Sequence, residues 1–593
     1  MSFHPNEVAR RGRAASVVVA LALTVLAGAF FRAQVLENAQ YALQSEENRL
    51  REVPLPAPRG IIYDRKGQII AENLPGYSVS ILGGSVDSLR ATLRRLGTLI
   101  PLSQDHIELA VRRYRRAPNR PTVVLSDASF DVVSVLEERR VDFPSLVIQA
   151  SPKRYYPDGP AVASFVGYTG EITDEELAKP EYRDQGYKAG QQIGKGGLER
   201  QYEELLRGKE GTRFVEVDAR GRVVREAGAR QDLLPEAPAP LYTNIDLDLQ
   251  RFVAQLMDTL QGGVMAMDPI SGEVLALHSA PSFDPNRFIG GIPVDYWREL
   301  NTDVRRPLYN KVIQGKYPPA STWKLAASLI ALQDSANPIS MDTRMPTPCT
   351  GGIMYGNRYF RCWDRNGHGN VTLQQAIEKS CNVYFYQLGL RITLRRLVAG
   401  GISLGFADRS GIDLPNENRP TFPLRDVEAY YNSRYGPRGW SNAVTLNLSI
   451  GQGENDQTVA NMAHFYSALA TDGRAATPVI AKKGSERKRL FTLTDDQMLD
   501  MREALAGVVS ARGTAGSAAI RGLVLAGKTG TVQNPPRPDH AWFVGFAPAD
   551  DPKIVVAVML EFGEHGYFAA RIASRIVEFY LKAAPAAYLN TEG

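Results

Sequence analysis

Apolar and polar positions change their rhythm along this chain and so divide it. From Ala14 to Phe31 runs an uncharged, mostly apolar stretch of 18 residues. As a helix rising about 1.5 Å per residue it covers roughly 27 Å, close to the thickness of a bilayer core, and it predicts a membrane anchor. Val35 to Val53 mixes charge with Leu36, Tyr41, Leu43 and Leu50 and lacks Gly and Pro, which predicts a helix ended by Pro54-Leu-Pro-Ala-Pro58. Two β-rich runs, 59–67 and 68–77, meet at Lys66-Gly67 and predict a hairpin. Residues 84–150 alternate helical and short strand patterns without a catalytic cluster. The Pro-rich stretch 231–240 predicts a linker. Beyond it the rhythm is α/β. Val264–Asp268 and Glu273–Leu277 predict a hairpin, 322–333 a helix, 541–546 and 554–560 adjacent buried strands, and 569–583 a closing helix.

The expected fold is therefore multidomain α/β. It has a single N-terminal transmembrane helix, an elongated mixed α+β pedestal, and a C-terminal β-sheet flanked by helices. The expected limits are a tail at 1–13, the anchor at 14–36, the pedestal at 37–240, the α/β domain at 241–585 and a tail at 586–593.

Charge adds direction. Arg10, Arg11 and Arg13 precede the apolar run and only Arg32 follows closely, so the positive-inside rule keeps the N-terminus in the cytoplasm and puts the bulk of the chain outside. A cleaved signal peptide is the competing reading. Ala27-Gly-Ala29 offers small residues for cleavage, but Phe30 and Phe31 continue the apolar run, which favours an uncleaved anchor. The net charge of +5 over 593 residues is small and its signs are mixed, which argues against a nucleic-acid partner.

Three short strings carry candidate chemistry. In Ser321-Thr-Trp-Lys324 the amine lies three residues from the hydroxyl, on the same helical face. A desolvated lysine near a helix N-terminus has a lowered pKa and can take the serine proton. In Ser380-Cys-Asn382 the hydroxyl is suited to relaying that proton and the amide to binding a substrate peptide bond. Lys528-Thr-Gly-Thr531 precedes the strand 542–546; an edge strand here, with an exposed lysine and the Thr529 and Thr531 hydroxyls, would bind a terminal carboxylate, and Gly530 allows close approach. The backbone N–H groups of Ser321 and Thr531 are oxyanion candidates. Each string alone is common by chance; helix capping and an ordinary turn account for the second and third. Their order and spacing together point to serine acyl transfer.

With these motifs the chain resembles the class B penicillin-binding proteins, in particular the penicillin-binding protein 2 group of elongation-specific D,D-transpeptidases. The resemblance runs essentially end to end. It includes Arg59-Gly-Ile-Ile-Tyr-Asp-Arg-Lys-Gly67, the stretch 194–208, Pro281-Ser-Phe-Asp-Pro-Asn286, Pro307-Leu-Tyr-Asn310, Tyr317-Pro-Pro-Ala-Ser321 and Gly451-Gln-Gly-Glu-Asn-Asp-Gln457. Ala320 stands where the family usually has Gly. The resemblance implies a peptidoglycan transpeptidase of the inner membrane, periplasmic in bulk, acting in cell elongation and cell shape. Ser321 would be acylated by stem peptides and by β-lactams, with Lys324, Ser380, Asn382 and Lys528 as catalytic residues and Thr529, Gly530 and Thr531 as substrate-binding residues. It implies a SEDS-type, RodA-like glycan polymerase and elongation-complex proteins as partners, and a non-catalytic, dimerisation-like pedestal. The glycine cluster at 194–197 lacks the GxxxxGK[ST] spacing of a phosphate loop.

All three cysteines, Cys349, Cys362 and Cys381, lie close together with His368 among them. A Cys3His set suits structural zinc. A Cys349–Cys362 disulfide with free Cys381, or three unlinked thiols, are the alternatives. Other functions of the same fold compete: a β-lactam-hydrolysing protein, for which Glu428-Ala-Tyr-Tyr-Asn432 has the E-x-x-x-N form but with neighbours that do not match, so that chance accounts for it better; a β-lactam sensor, against which stands the lack of a sensor protease signature; or an inactive penicillin-binding scaffold, against which stands the intact set of three motifs. A polymerase module before residue 240 would need a pair of acidic motifs that is not found there.

Overall fold

A computed structural model of the protein describes residues 5–36, 50–82, 85–116, 118, 121–217, 223–226, 231–481 and 484–583. The apolar run forms α1 (Pro5–Phe31), continued by a π turn at Arg32–Leu36. Among the described residues it is the one helix long and apolar enough to cross a membrane, and none of its apolar window is buried in the protein.

The helix predicted over 35–53 is corrected at its end. Leu50–Leu55 is a strand, β1, paired antiparallel with Gly211–Val217, while residues 37–49 lie outside the described residues. Pairing with a distant segment, plus Pro54, overrides the local helical pattern. The predicted hairpin is present: β2 (Ile62–Tyr63) turns at Gly67 into the long β3 (Ile69–Ile81). Helices α2 (Val86–Leu96) and α3 (Gln104–Arg116), strand β4 (Thr122–Ala128), helix α4 (Phe130–Glu138) and strand β5 (Leu146–Tyr155) follow. Strand β3 pairs with both β4 and β5, and Val79, Ile81, Leu89, Leu93 and Leu136 make the pedestal core.

The glycine cluster packs protein against protein. A side chain at Gly194 would meet the Glu199 carbonyl at 2.0 Å. That approach lets the buried Glu199 carboxylate accept from Arg154 Nε at 2.6 Å and Arg59 Nε at 2.9 Å. Strand β6 (Gly211–Val217) then leads towards the Pro-rich stretch, which is not a free tether. Leu233 exchanges two 2.8 Å backbone bonds with Thr212.

Strand β7 (Leu241–Tyr242) pairs parallel with β2, so the pedestal sheet takes a strand from the chain entering the second domain. There α5 (Leu247–Met257) precedes the hairpin β8 (Gly262–Met267) and β9 (Val274–Ala280). Helix α6 (Lys324–Leu332), hairpin β10 (Gly352–Tyr355) and β11 (Arg358–Arg361), and helices α7 (Leu373–Glu378), α8 (Asn382–Ile392) and α9 (Val459–Ala470) lie between it and the end of the sheet. Strands β12 (Ala526–Val532), β13 (His540–Ala547) and β14 (Ile554–Leu560) complete a five-stranded antiparallel sheet in the order β9-β8-β14-β13-β12. Every residue of β14 is buried, so both its faces are covered; α9 and α10 (Gly566–Ala583) pack against it. Strand β12 is left at the edge.

Candidate active site

The turn that carries Ser321 is fixed from both sides. Upstream, Tyr317 and Gln457 exchange backbone bonds of 3.0 and 2.8 Å, and Ala320 N donates to Gly451 O at 3.0 Å. Ala320–Trp323 is a 3-10 turn that runs directly into α6. Ala320 has φ +48°, a left-handed conformation that explains why a glycine suits this position. Thr322, Trp323 and Lys324 are fully buried, whereas Ser321 stays partly exposed to the cleft.

Lys324 reaches the second motif. Its Nζ lies 2.7 Å from Asn382 Oδ1, 2.9 Å from the Ser380 carbonyl and 3.2 Å from Ser380 Oγ. Burial lowers the ammonium from its ordinary 10.5 to about 8. The loop that meets it is a helix-ending motif. Cys381 N donates to Ala376 O at 2.9 Å and Ser380 N to Ile377 O at 3.2 Å, the pattern of a Schellman end. Ser380 takes the left-handed position, φ +52°, usually filled by glycine. Strain accepted at this serine turns its hydroxyl toward Lys324. Neither Ser380 nor Asn382 is a side-chain helix cap; the N-cap of α8 is Cys381, which makes no side-chain cap bond.

The third motif differs from its sequence reading in one way. Lys528, Thr529, Gly530 and Thr531 lie within edge strand β12, ahead of β13 as expected, but Lys528 is buried rather than exposed. Its Nζ lies 3.2 Å from Thr529 O. Burial, then repulsion from Lys324, pull its ammonium well below the usual lysine range. A Cβ at Gly530 would come within 2.9 Å of Pro319 O and 3.3 Å of Thr322 Cγ2, so β12 lies directly against the turn that carries Ser321. Thr531 Oγ1 accepts from Gly566 N at 3.3 Å.

The cysteine cluster sits behind the second motif. All three thiols are free, and their sulfurs and one His368 nitrogen lie within 4.8 Å of one another. His368 Nδ1 is 3.6 Å from Cys349 Sγ and 3.5 Å from Cys362 Sγ. Those separations match the edge of a tetrahedron with bonds of about 2.3 Å to sulfur and about 2.0 Å to nitrogen. The donor set suits zinc, and the two His368–cysteine separations are those of a tetrahedral site. His368 Nε2 is buried without a partner.

Residues 262–578 match the penicillin binding protein transpeptidase domain, and residues 54–234 the penicillin-binding protein dimerisation domain. The chain belongs to the penicillin-binding proteins. Within this family it is 32% identical to a peptidoglycan D,D-transpeptidase MrdA of Acinetobacter baumannii, over 95% of this chain and 86% of that one. Penicillin-binding protein 2 of Helicobacter pylori, solved in complex with MreC, has TM-score 0.79 at 28% identity, covering 90% of this chain and 99% of that one. A chain of a peptidoglycan synthase complex has TM-score 0.68 at 28% identity, covering 98% and 100%.

The geometry adds one penicillin-binding-protein site residue that sequence reading missed. Thr514 Oγ1 lies 2.6 Å from Thr529 Oγ1, behind the third motif. No local pattern marks Thr514; only the packing of the helix Asp495–Val509 against β12 brings its loop there. The E-x-x-x-N string is placed elsewhere. Glu428 is exposed on a helix 3.9 Å from Arg395, and Asn432 accepts from Trp440 Nε1 at 2.7 Å.

Proposed function

We propose that this chain is a membrane-anchored serine D,D-transpeptidase that cross-links peptidoglycan stem peptides during elongation. The observation that carries the reading is the contact of Lys324 Nζ with both Ser380 and Asn382, in a dry site one helical turn from Ser321. Neutral Lys324 takes the Ser321 proton as Oγ bonds to the penultimate D-alanine carbonyl carbon. Ser380 passes a proton to the leaving amine as the C–N bond breaks and terminal D-alanine departs. The ester on Ser321 is then opened by an amine of a neighbouring stem, which forms the cross-link and returns a proton to Ser321; water in that role gives the carboxypeptidase reaction. Lys528 and Thr529 hold the terminal carboxylate, which compensates the buried lysine.

In this reading α1 anchors the chain in the inner membrane with Arg10, Arg11 and Arg13 inside and the pedestal and catalytic domain outside. A RodA-like polymerase and elongation proteins are its partners, in keeping with the complexes solved for similar proteins. Zinc on Cys349, Cys362, His368 and Cys381 would act structurally, pinning the loop that presents Ser380 and Asn382.

Fluorescent penicillin labelling tests the activity. A stable adduct lost in Ser321→Ala is expected; rapid turnover would mean a β-lactam hydrolase, and no adduct an inactive scaffold. Elemental analysis of reduced, undialysed protein tests the metal. One zinc per chain is expected, and its absence would sink that assignment.

A further inference from the structure

A transpeptidase seats two stem peptides, and the hairpin of β10 and β11 offers a face for the second. Cross-strand partners share a face of a hairpin, and the faces alternate along each strand. The pair Ile353 and Phe360 turns inward: Phe360 is 5% exposed and packs with Tyr386 and Leu446. The pairs Gly352–Arg361 and Met354–Tyr359 therefore turn outward. Met354 is 59% exposed and Tyr359 48%, Arg361 is exposed, and Trp363 just past the strand is 59% exposed. The Tyr359 ring lies across Gly352, where a Cβ would meet its Cζ at 2.4 Å. Three large apolar side chains exposed within the stretch 354–363 mark a surface suited to being covered.

This face adjoins the second motif. Asn382 Nδ2 donates to Arg361 O at 3.4 Å while its Oδ1 meets Lys324 Nζ at 2.7 Å, so one amide separates the strand from the lysine. Tyr386 OH donates to the same Arg361 carbonyl at 3.1 Å. Trp363 Nε1 donates to Lys379 O at 3.0 Å, one residue ahead of Ser380. The opposite flank is taken by Gly530 of β12, which lies against Pro319 and Thr322. In the transpeptidase reading, that strand holds the donor's carboxylate.

Charge selects the occupant. Asp364 is the one acid between Gly351 and Asn370, and its Oδ1 accepts from Asn366 N at 2.9 Å. Arg361 and Arg365, both exposed, and Lys379 have no carboxylate partner among the described residues. Arg365 stays near Arg361: Cys362 N donates to Gly351 O at 2.9 Å, and a Cβ at Gly351 would meet Arg365 O at 2.2 Å. An arginine fork matches a carboxylate in two parallel hydrogen bonds. Resting on the transpeptidase reading, we propose that this face seats the acceptor stem peptide. A carboxylate of the acceptor pairs with Arg361 or Arg365, and the aliphatic arm bearing its amine runs along Tyr359 and Trp363 toward the ester on Ser321.

The test follows the fate of the acyl-enzyme in the detergent-solubilised full chain. A thioester donor, benzoyl-D-alanyl-thioglycolate, acylates Ser321 as the C–S bond breaks and thioglycolate leaves. The ester is then opened by water or by the ε-amine of an added acceptor; with the amine, the C–N bond forms, the C–O bond breaks and a proton returns to Ser321. Nα-acetyl-lysine and Nα-acetyl-lysinamide, which differ only in the carboxylate, are compared by the ratio of amide product to hydrolysis product. The carboxylate form should be favoured about threefold to fivefold, the worth of a well-formed surface ion pair. The double variant Arg361→Gln, Arg365→Gln should erase that preference, and Arg361→Lys, Arg365→Lys should keep part of it. Benzylpenicillin labelling, which needs no acceptor, should keep its rate in both variants, and the melting temperature should hold. No preference in the parent, a preference undiminished in the glutamine variant, or an acyl-enzyme that neither amine intercepts would overturn the proposal. Failure of both the thioester and benzylpenicillin to acylate Ser321 would instead strike the transpeptidase reading.

Discussion

Lys324 Nζ lies 2.7 Å from Asn382 Oδ1, so the lysine of the first motif is held by the amide of the second. With the Ser380 contacts at 2.9 and 3.2 Å, the protonated amine has three acceptors in a site from which solvent is excluded. Desolvation still prevails and lowers its pKa to about 8. Acylation by a fluorescent penicillin should therefore rise about tenfold per pH unit below 8 and level off above it. Stability should follow the same group. Between about 8 and 10.5 the unfolded chain binds the extra proton, so this lysine's contribution falls as pH drops through that window and is constant below it. Stopped-flow labelling from pH 6 to 10 checks the first effect. A flat profile would remove Lys324 as the base.

Ala320 holds φ +48° immediately before Ser321. A non-glycine residue there costs about 1–2 kcal/mol, and glycine returns about 0.5–1 kcal/mol of that through the freer unfolded chain. Ala320→Gly should raise stability by about 0.5 kcal/mol, seen as a small increase in melting temperature. Ala320→Val, β-branched at positive φ, should lower both melting temperature and acylation.

What the sequence discloses and what it hides separate along physical lines. Ser321, Lys324, Ser380 and Asn382 are legible because their spacing is local and the chemistry demands those residue types. The two hairpins and the buried strands β13 and β14 are legible from local turn chemistry and apolar runs. Burial of Lys528 is not legible, because a Lys-Thr-Gly-Thr string reads as polar; its cover comes from the turn that carries Ser321 packing on β12. Strand β1 is hidden for a similar reason. Its partner β6 lies far along the chain, and nothing local in Leu50–Leu55 announces that pairing.

Glu199 ties Arg59, just ahead of β2, to Arg154 of β5 at 0% exposure. Burial alone would raise its pKa, but the Arg154 and Arg59 guanidinium groups overcome it and hold the carboxyl below its ordinary 4.5. Its stabilisation is complete above about 4.5 and is lost as pH falls through the folded-state value. Glu199→Gln leaves the buried Arg154 without a carboxylate, while Arg59 keeps Glu203, and should cost about 3–5 kcal/mol. Thermal melts at pH 7 check the loss, and the variant's melting temperature should depend less on pH below 5 than that of the parent.

Thr514 gives the sharpest test of how the third motif binds a carboxylate. Its hydroxyl lies 2.6 Å from that of Thr529, and each can donate only one proton. If Thr514 donates, the Thr529 proton is free to point into the cleft toward a substrate carboxylate. Thr514→Val keeps the shape, removes that partner and lets the Thr529 hydroxyl turn away. The second-order rate constant for penicillin acylation should fall about tenfold, the worth of one hydrogen bond to a charged group. Thr514→Ser, which keeps the hydroxyl, should restore it. The effect should appear in the concentration dependence of labelling rather than in the limiting rate, because in the proposed mechanism Thr529 grips the carboxylate while Ser321 and Lys324 carry the bond changes. A fall in the limiting rate with unchanged half-saturation would instead place Thr514 in the proton-transfer path.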